Sequence, residues 1–272
     1  MSSIVRRALA VVLAPCALLF FALSRPLPAS LEAPPEAGTV VLDRSGQRLR
    51  ALRSSAGELG GAASLAELSP WVVPALLAAE DSRFRAHPGV DPLSVLRAFG
   101  QLCRERRIVS GASTLTMQLA RLLEPHPRDL GGKLTEMRLA LRLEVSLSKD
   151  QILEEYLGRI DLAPGVRGIE AASRELLDRP ASALELADAA LLAGLARAPS
   201  ALDPRRHPER AKARRDVVLA RMLEQGRASR DEVERALATP VSAHRPRAEG
   251  GTLHVAVGLG RGRLLGSVEG AT

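Results

Sequence analysis

The sequence predicts a mainly α protein with one short β-hairpin near its N-terminus and an apolar transmembrane helix ahead of it. Three observations predict this. From Leu65 onward, apolar residues recur at three- and four-residue spacing in segment after segment, the period of helices with a buried face. The only convincing strand signal is Val40-Val41-Leu42-Asp43, with Ser45-Gly46 as turn residues before Arg48-Leu49-Arg50. Arg6-Arg7 precedes the run Ala8 to Ser24, which no acidic residue interrupts.

That run spans roughly 25 Å at about 1.5 Å per residue, slightly short of a bilayer core, so crossing draws on local thinning or on snorkelling arginines. The flanking arginines put its N-terminus inside and everything after Arg25 outside the cytoplasm. An uncleaved signal anchor is favoured over a cleaved signal peptide, because the run is long for an h-region and Leu27-Pro28-Ala29-Ser30 is a poor cleavage site. A lipoprotein reading at Leu13-Ala14-Pro15-Cys16 is weaker, since proline stands where a small residue is expected.

The expected organisation is an anchor over residues 1–25, a juxtamembrane linker and hairpin over 26–64, a helical domain over 65–226 and a tail over 227–272. Arg25 to Gly38 is rich in proline and alanine, which suits a spacer. Trp71 to Ala79 reads as a buried helix, with Glu80 where the chain leaves the core and meets a cleft. Further helices are predicted at Pro92 to Leu102, Ser113 to Leu123, Leu130 to Ser146, Lys149 to Leu157, Ala181 to Leu195 and Pro208 to Glu224. Beyond Gly226 a small helix is predicted at Arg230 to Ala238. From Val241 to Thr272 no core pattern is visible, as in a disordered remnant or the start of a further domain.

Composition narrows the function classes. The net charge is +7, and the excess is almost wholly arginine, because lysine appears only at Lys133, Lys149 and Lys212. Such a balance points to an anionic partner. Aromatic residues make up 2% of the chain, too few platforms for base stacking, so nucleic acid is set aside in favour of phosphorylated lipid or an anionic membrane surface. Cys16 and Cys103 form no plausible disulfide, and no Cys/His metal cluster is available.

Four segments carry the chemistry. The first, Glu80-Asp81-Ser82-Arg83-Phe84-Arg85-Ala86-His87-Pro88-Gly89, packs acids, an aromatic, a histidine and a turn at the end of an apolar run. A carboxylate half-buried there suits a general base, although most Glu-Asp pairs are solvated helix ends. The second, Ser110-Gly111-Ala112-Ser113-Thr114-Leu115-Thr116-Met117-Gln118-Leu119-Ala120-Arg121, feeds a small-residue loop into a helix N-terminus, a place where free amides bind phosphate. Thr114, Gln118 and Arg121 fall along one helix face, whereas a plain N-cap would explain Ser113 alone. The third is Lys133-Leu134-Thr135-Glu136, which by itself is equally well a surface ion pair. The fourth, Ser148 to Leu157, is a capped amphipathic helix with mostly structural features.

In this order and spacing the segments resemble the peptidoglycan glycosyltransferases, the lysozyme-like domain of class A penicillin-binding proteins and of monofunctional enzymes. The motifs are Glu80-Asp81-x-x-Phe84-x-x-His87-x-Gly89, Gly111-Ala112-Ser113-Thr114-Leu115-Thr116-x-Gln118, Lys133-x-x-Glu136 and Ile152-Leu153-Glu154-x-Tyr156-Leu157. The stretches Ala198 to Pro204, Pro208 to Ala211 and Arg214 to Met222 are also similar, and Met117 and Gly131-Gly132 resemble the 1C branch. The resemblance runs from about Val40 to Gly226.

It implies a lysozyme-like fold and polymerisation of lipid II into glycan strands on the periplasmic or extracellular side of the bacterial inner membrane. By analogy Glu80 and Glu136 are the catalytic residues. Glu80 takes the proton of the acceptor 4-hydroxyl, which attacks the lipid-linked donor and displaces undecaprenyl diphosphate with inversion. Arg121, Lys133, Thr114 and Gln118 meet the diphosphate; Ser113, Asp81, Phe84 and His87 are counted with them as substrate- or diphosphate-binding, His87 and Asp81 organising the loop around Glu80 rather than taking part directly. Glu136 holds the cations in place or binds a divalent metal, Mg²⁺ or Mn²⁺, at the diphosphate; no organic cofactor is implied. The implied partners are lipid II, the growing strand, the cytoplasmic membrane and other cell-wall synthesis proteins.

The chain departs from the family pattern after Tyr156, where Gly158-Arg159-Ile160-Asp161 replaces an asparagine-closed, aromatic stretch. The turn Leu176-Leu177-Asp178-Arg179 replaces one like Tyr-Phe-Gly-Lys, and Gly132 replaces an arginine before Lys133. A weakened, membrane-anchored scaffold and a lytic transglycosylase are therefore the rival readings. Ser146-Leu147-Ser148-Lys149 imitates a Ser-x-x-Lys motif, but Ser-x-Asn and Lys-Thr-Gly are missing, so penicillin binding is expected to be absent.

Overall fold

The computed structural model describes residues 26–33, 39–42, 48–52, 63–97 and 113–243. The expected anchor over residues 8–24 lies outside them, as do Gly111, Ala112 and the tail from 244. Among the described residues no helix is long and apolar enough to cross a membrane.

The protein is mainly helical. The hairpin signal forms strands β1 (Thr39–Leu42) and β2 (Arg48–Leu52), paired antiparallel from Thr39 opposite Leu52 to Leu42 opposite Arg48. Ahead of it, part of the expected spacer is a single helical turn, α1 (Ala29–Glu32), docked on the domain. Ser30 Oγ donates to the Leu123 carbonyl at 2.7 Å, and Arg159 Nη2 donates to the Ser30 and Ala33 carbonyls at 3.0 and 2.8 Å.

Two groups of helices build the core. In the first, α2 (Val72–Glu80) packs on α7 (Leu186–Leu195), which packs on α8 (Pro208–Glu224). Apart from Asp188 in its first turn, helix α7 is apolar and buried along its length, so it forms the centre of the molecule. The second group is α3 (Leu115–Leu123), α4 (Leu130–Ser146) and α5 (Lys149–Arg159). Their starts are set by local chemistry: Thr114 caps α3, Asp129 caps α4, and Ser148 with Gln151 forms a capping box on α5. Residues 92–97 are helical, the described part of the helix expected from Pro92 to Leu102.

Three features depart from the sequence expectation. The helix expected over Ala181 to Leu195 is a 3₁₀ turn (Ala181–Ala183), an extended Leu184 and then α7, because the Glu185–Asp188 capping box starts the helix at Leu186. The altered stretch after Tyr156 forms a second antiparallel hairpin, β3 (Asp161–Ala163) and β4 (Val166–Arg167), and leads into an unforeseen helix α6 (Ile169–Leu177). The core also continues past residue 226. Helix α9 (Arg230–Ala238), at the bounds expected, buries Val233 and Ala236 against α7 and α8, and the buried Arg215 of α8 donates to the Leu237 and Thr239 carbonyls at its end.

Candidate active site

A cleft of about 930 Å³ opens between the two helix groups and is lined by Glu80, Asp81, Ser113, Gln118, Arg121 and Glu136 together with Arg97, Arg128, Arg197 and Arg221. Glu80 is the last residue of α2, so its side chain leaves the core at the cleft edge. Arginines in and just after α8 hold that helix end. Arg221 Nη1 donates to the Ala79 carbonyl at 2.8 Å and Arg227 Nη2 to the Ser82 carbonyl at 3.0 Å, satisfying acceptors at the end of the helix and just beyond it.

The two oxygens of Glu80 differ. Oε2 accepts from Gln118 Nε2 at 3.0 Å, and Gln118 Oε1 accepts from the Tyr156 hydroxyl at 2.8 Å. Oε1 is buried without a hydrogen-bond partner, 3.6 Å from Arg214 Nη2. Burial pushes the Glu80 carboxyl above the usual range, and the Gln118 bond and the charges of Arg214, Arg197 and Arg221 offset only part of that rise. Burial, with the Glu80 charge behind it, also holds the Tyr156 phenol well above the ordinary tyrosine range. The phenol is therefore a donor, which fixes the Gln118 amide with its NH₂ toward Glu80.

The first-motif residues around Glu80 are tied inward. Asp81 Oδ2 accepts from the Leu115 amide and from His87 Nε2, both at 3.0 Å, so one carboxylate joins the end of α2 to the start of α3. His87 Nδ1 in turn accepts from the Gly89 amide at 3.2 Å. Gly89 adopts φ +91°, and a Cβ there would meet the Ala140 carbonyl at 2.8 Å, so glycine is required by both conformation and space. Phe84 is fully buried, stacked edge-on against His87 with Lys149 Nζ 4.3 Å from its ring centre. Lys149 Nζ also donates to the His87 carbonyl and to Glu144, both at 2.7 Å.

On another wall, Glu136 sits fully buried under three nitrogenous side chains. Its Oε2 accepts from Lys133 Nζ at 2.7 Å, its Oε1 accepts from Arg121 Nε and Nη2, and His126 Nε2 lies 3.2 Å from Oε1. Burial raises the Glu136 carboxyl, but the hydrogen bonds and charges of Lys133 and Arg121 outweigh it and hold it below the usual range. Lys133 Nζ also reaches Ser113 Oγ at 2.6 Å. Both Glu136 oxygens are taken up by these cations, and among the described residues no group of three or more His, Cys, Asp or Glu could by itself hold a metal ion.

The polar stripe expected on α3 does not act as one surface. Thr114, not Ser113, is the N-cap; it is buried, accepts from the Met117 amide at 3.2 Å and donates to the Gly89 carbonyl, so its hydroxyl is not offered to the cleft. Gln118 serves Glu80, and Arg121 serves Glu136. Sequence reading missed Arg197, Arg214 and Arg221, as well as His126 and the link from Tyr156. The three arginines lie in or near segments noted for similarity, but arginine is so common here that nothing marked them out.

The family model described as Transglycosylase matches residues 46–223. Penicillin-binding protein 1C of Escherichia coli K12 is 46% identical over 178 residues, covering 65% of this chain and 23% of that protein. Penicillin-binding protein 1A of Aquifex aeolicus is 40% identical over 180 residues, covering 66% of this chain and 25% of that one. The chain thus spans about a quarter of these curated relatives. A Cupriavidus necator protein that carries transglycosylase in its name is 42% identical over 168 residues, covering 61% of this chain and 72% of that protein. The crystal structure of penicillin-binding protein 1A from Haemophilus influenzae overlays with a TM-score of 0.44 at 19% identity, over 78% of this chain and 22% of that one.

Proposed function

This chain belongs to the transglycosylase family, and from that premise we propose that it polymerises lipid II into glycan strands at the outer face of the cytoplasmic membrane. The observation that carries the reading is Glu80, a buried carboxylate of raised basicity with an unbonded Oε1, opening on a cleft shared with Arg121 and Glu136. A base of this kind needs a pKa lifted toward the working pH and a free oxygen aimed at its proton.

In the proposed step Glu80 Oε1 takes the proton of the acceptor 4-hydroxyl as that oxygen bonds to the anomeric carbon of the donor. The bond from that carbon to the diphosphate oxygen breaks on the opposite side, and undecaprenyl diphosphate leaves with the electron pair, inverting the centre. Arg121 and Lys133, oriented by Glu136, meet the charge that develops on the leaving group. Gln118 holds the other oxygen of Glu80 and so leaves Oε1 without a hydrogen-bond partner. The proposal includes a single-pass anchor at residues 8–24, supported by Arg6-Arg7 and the uninterrupted apolar run.

The test is polymerisation of fluorescent lipid II by the detergent-purified protein beside Glu80→Gln. Glycan chains from the parent and a loss of about 10²- to 10⁴-fold in the variant are expected. Anhydro-sugar ends released from preformed wall, or no product from a folded parent, would overturn the reading.

A further inference from the structure

The loop between α3 and α4 carries a group that neither motif reading nor the step above uses. Gly132, in the first turn of α4, allows the loop to lie against the helix: a Cβ there would fall 2.0 Å from the Pro127 carbonyl oxygen and 2.6 Å from His126 Cδ2. The Gly132 amide is itself held by Asp129 Oδ1 at 2.7 Å, so the helix start cannot swing aside at no cost. The close approach brings His126 onto Glu136.

The ring faces acceptors on both sides. His126 Nδ1 lies 2.6 Å from the Glu124 carbonyl and Nε2 lies 3.2 Å from Glu136 Oε1. A carbonyl only accepts, and Glu136 only accepts while Lys133 and Arg121 keep it ionised. With its N–H on Nε2 the ring donates to Glu136 Oε1, the third nitrogenous group on that carboxylate. Arg121 and Lys133 carry two positive charges against the one carboxylate they share, an excess beside the cleft that suits a diphosphate.

We propose that His126, seated by Gly132, is a positioning residue of the diphosphate site: it braces Glu136 from behind and so keeps Arg121 and Lys133 directed at the leaving group. The proposal rests on the glycosyl-transfer reading, because it is that reaction which supplies a diphosphate. His126 itself is not among the cleft-lining residues, so its effect passes through Glu136.

The experiment compares the full chain with His126→Ala and His126→Gln in two assays: calorimetric binding of undecaprenyl diphosphate in detergent, and lipid II polymerisation at varied substrate. Losing a charge-assisted bond predicts about tenfold weaker diphosphate binding and a kcat/KM about tenfold lower in His126→Ala. His126→Gln, which keeps a donor to Glu136, should recover part of both, with thermal midpoints within a few degrees of the parent. Should His126→Ala fail to fold, the Gln variant carries the test, and parental values in both assays would overturn the proposal. If the parent polymerises and Glu80→Gln does not, while His126→Ala matches the parent, the positioning role fails and the transfer reading stands. A folded parent that neither binds the diphosphate nor polymerises removes both.

Discussion

Arg214 Nη2 lies 3.6 Å from Glu80 Oε1, inside ion-pair range but outside hydrogen-bond range, and neither atom has a hydrogen-bond partner. Two buried, complementary polar atoms left unpaired cost stability, and natural structures keep few of them. A hydroxyl seated beside the pair can donate to Oε1 and accept from Nη2, which satisfies both at once. In the proposed transfer the acceptor 4-hydroxyl would be such a group, with Arg214 holding the oxygen as Glu80 removes its proton.

Replacing Arg214 with Met removes one of the charges that offset burial at Glu80. The Glu80 carboxyl should rise further. Only the ionised form accepts a proton, so activity is lost as pH falls through the pKa of the bound or free enzyme. The acid limb of the kcat/KM profile should therefore move to higher pH, with the neutral-pH rate falling about tenfold. An acid limb that stays where it was would show that Arg214 does not act on Glu80.

Glu80→Gln should cost activity and add stability. A carboxyl whose pKa is raised by folding binds more protons in the native state than in the unfolded one, so stability declines as pH rises from the ordinary carboxylate range through the raised value. Above that window the ionised Glu80 is a standing cost. The neutral amide removes it, and a gain of about 0.5 to 2 kcal/mol is expected at pH 7. Urea denaturation at pH 7 and pH 4 checks the sign: the advantage of the variant should shrink at pH 4.

What was legible in the sequence was local. The run ending at Glu80, the capped helix starting at Ser148 and the hairpin at Val40 are patterns of neighbours, and each formed as read. Partnerships across the chain were not legible. Arg214 reaches Glu80 because α8 packs on α2 and both pack on α7, and one arginine among many in a basic chain gives no sign of which carboxylate it faces. Strands β3 and β4 are three and two residues long around Pro164-Gly165, too short for alternation to register. The cap on α3 was misplaced by one residue because Ser113 and Thr114 have the same chemistry; burial against Gly89 decides for Thr114.

That last point sets Thr114 apart from the groups at the cleft. Thr114→Val keeps the shape but loses the cap on Met117 and leaves the buried Gly89 carbonyl without its side-chain donor. A destabilisation of about 2 kcal/mol is expected from the two losses together. The folded fraction should retain a near-parental KM for lipid II. A large rise in KM with an unchanged denaturation midpoint would return Thr114 to the substrate site.

Asp178 occupies a position where a glycine would serve better. It closes α6 at φ 54° and ψ 36°, the left-handed conformation, and is the only described residue other than glycine with a positive φ. Side-chain sterics disfavour that region, and helix ends of this kind usually carry glycine. The neighbouring bonds, Ser173 Oγ to the Arg179 carbonyl at 2.7 Å and Arg179 Nη1 to Asp188 at 3.0 Å, involve other residues and hold the turn in place. Asp178→Gly should therefore relieve strain without disturbing the turn, raising stability by about 0.5 to 1 kcal/mol, net of the extra freedom glycine has in the unfolded chain. Lower stability in the glycine variant would mean that the aspartate side chain contributes more than its backbone costs. Because α6 packs on α7 and none of its residues lines the cleft, the rate of transfer should be unchanged.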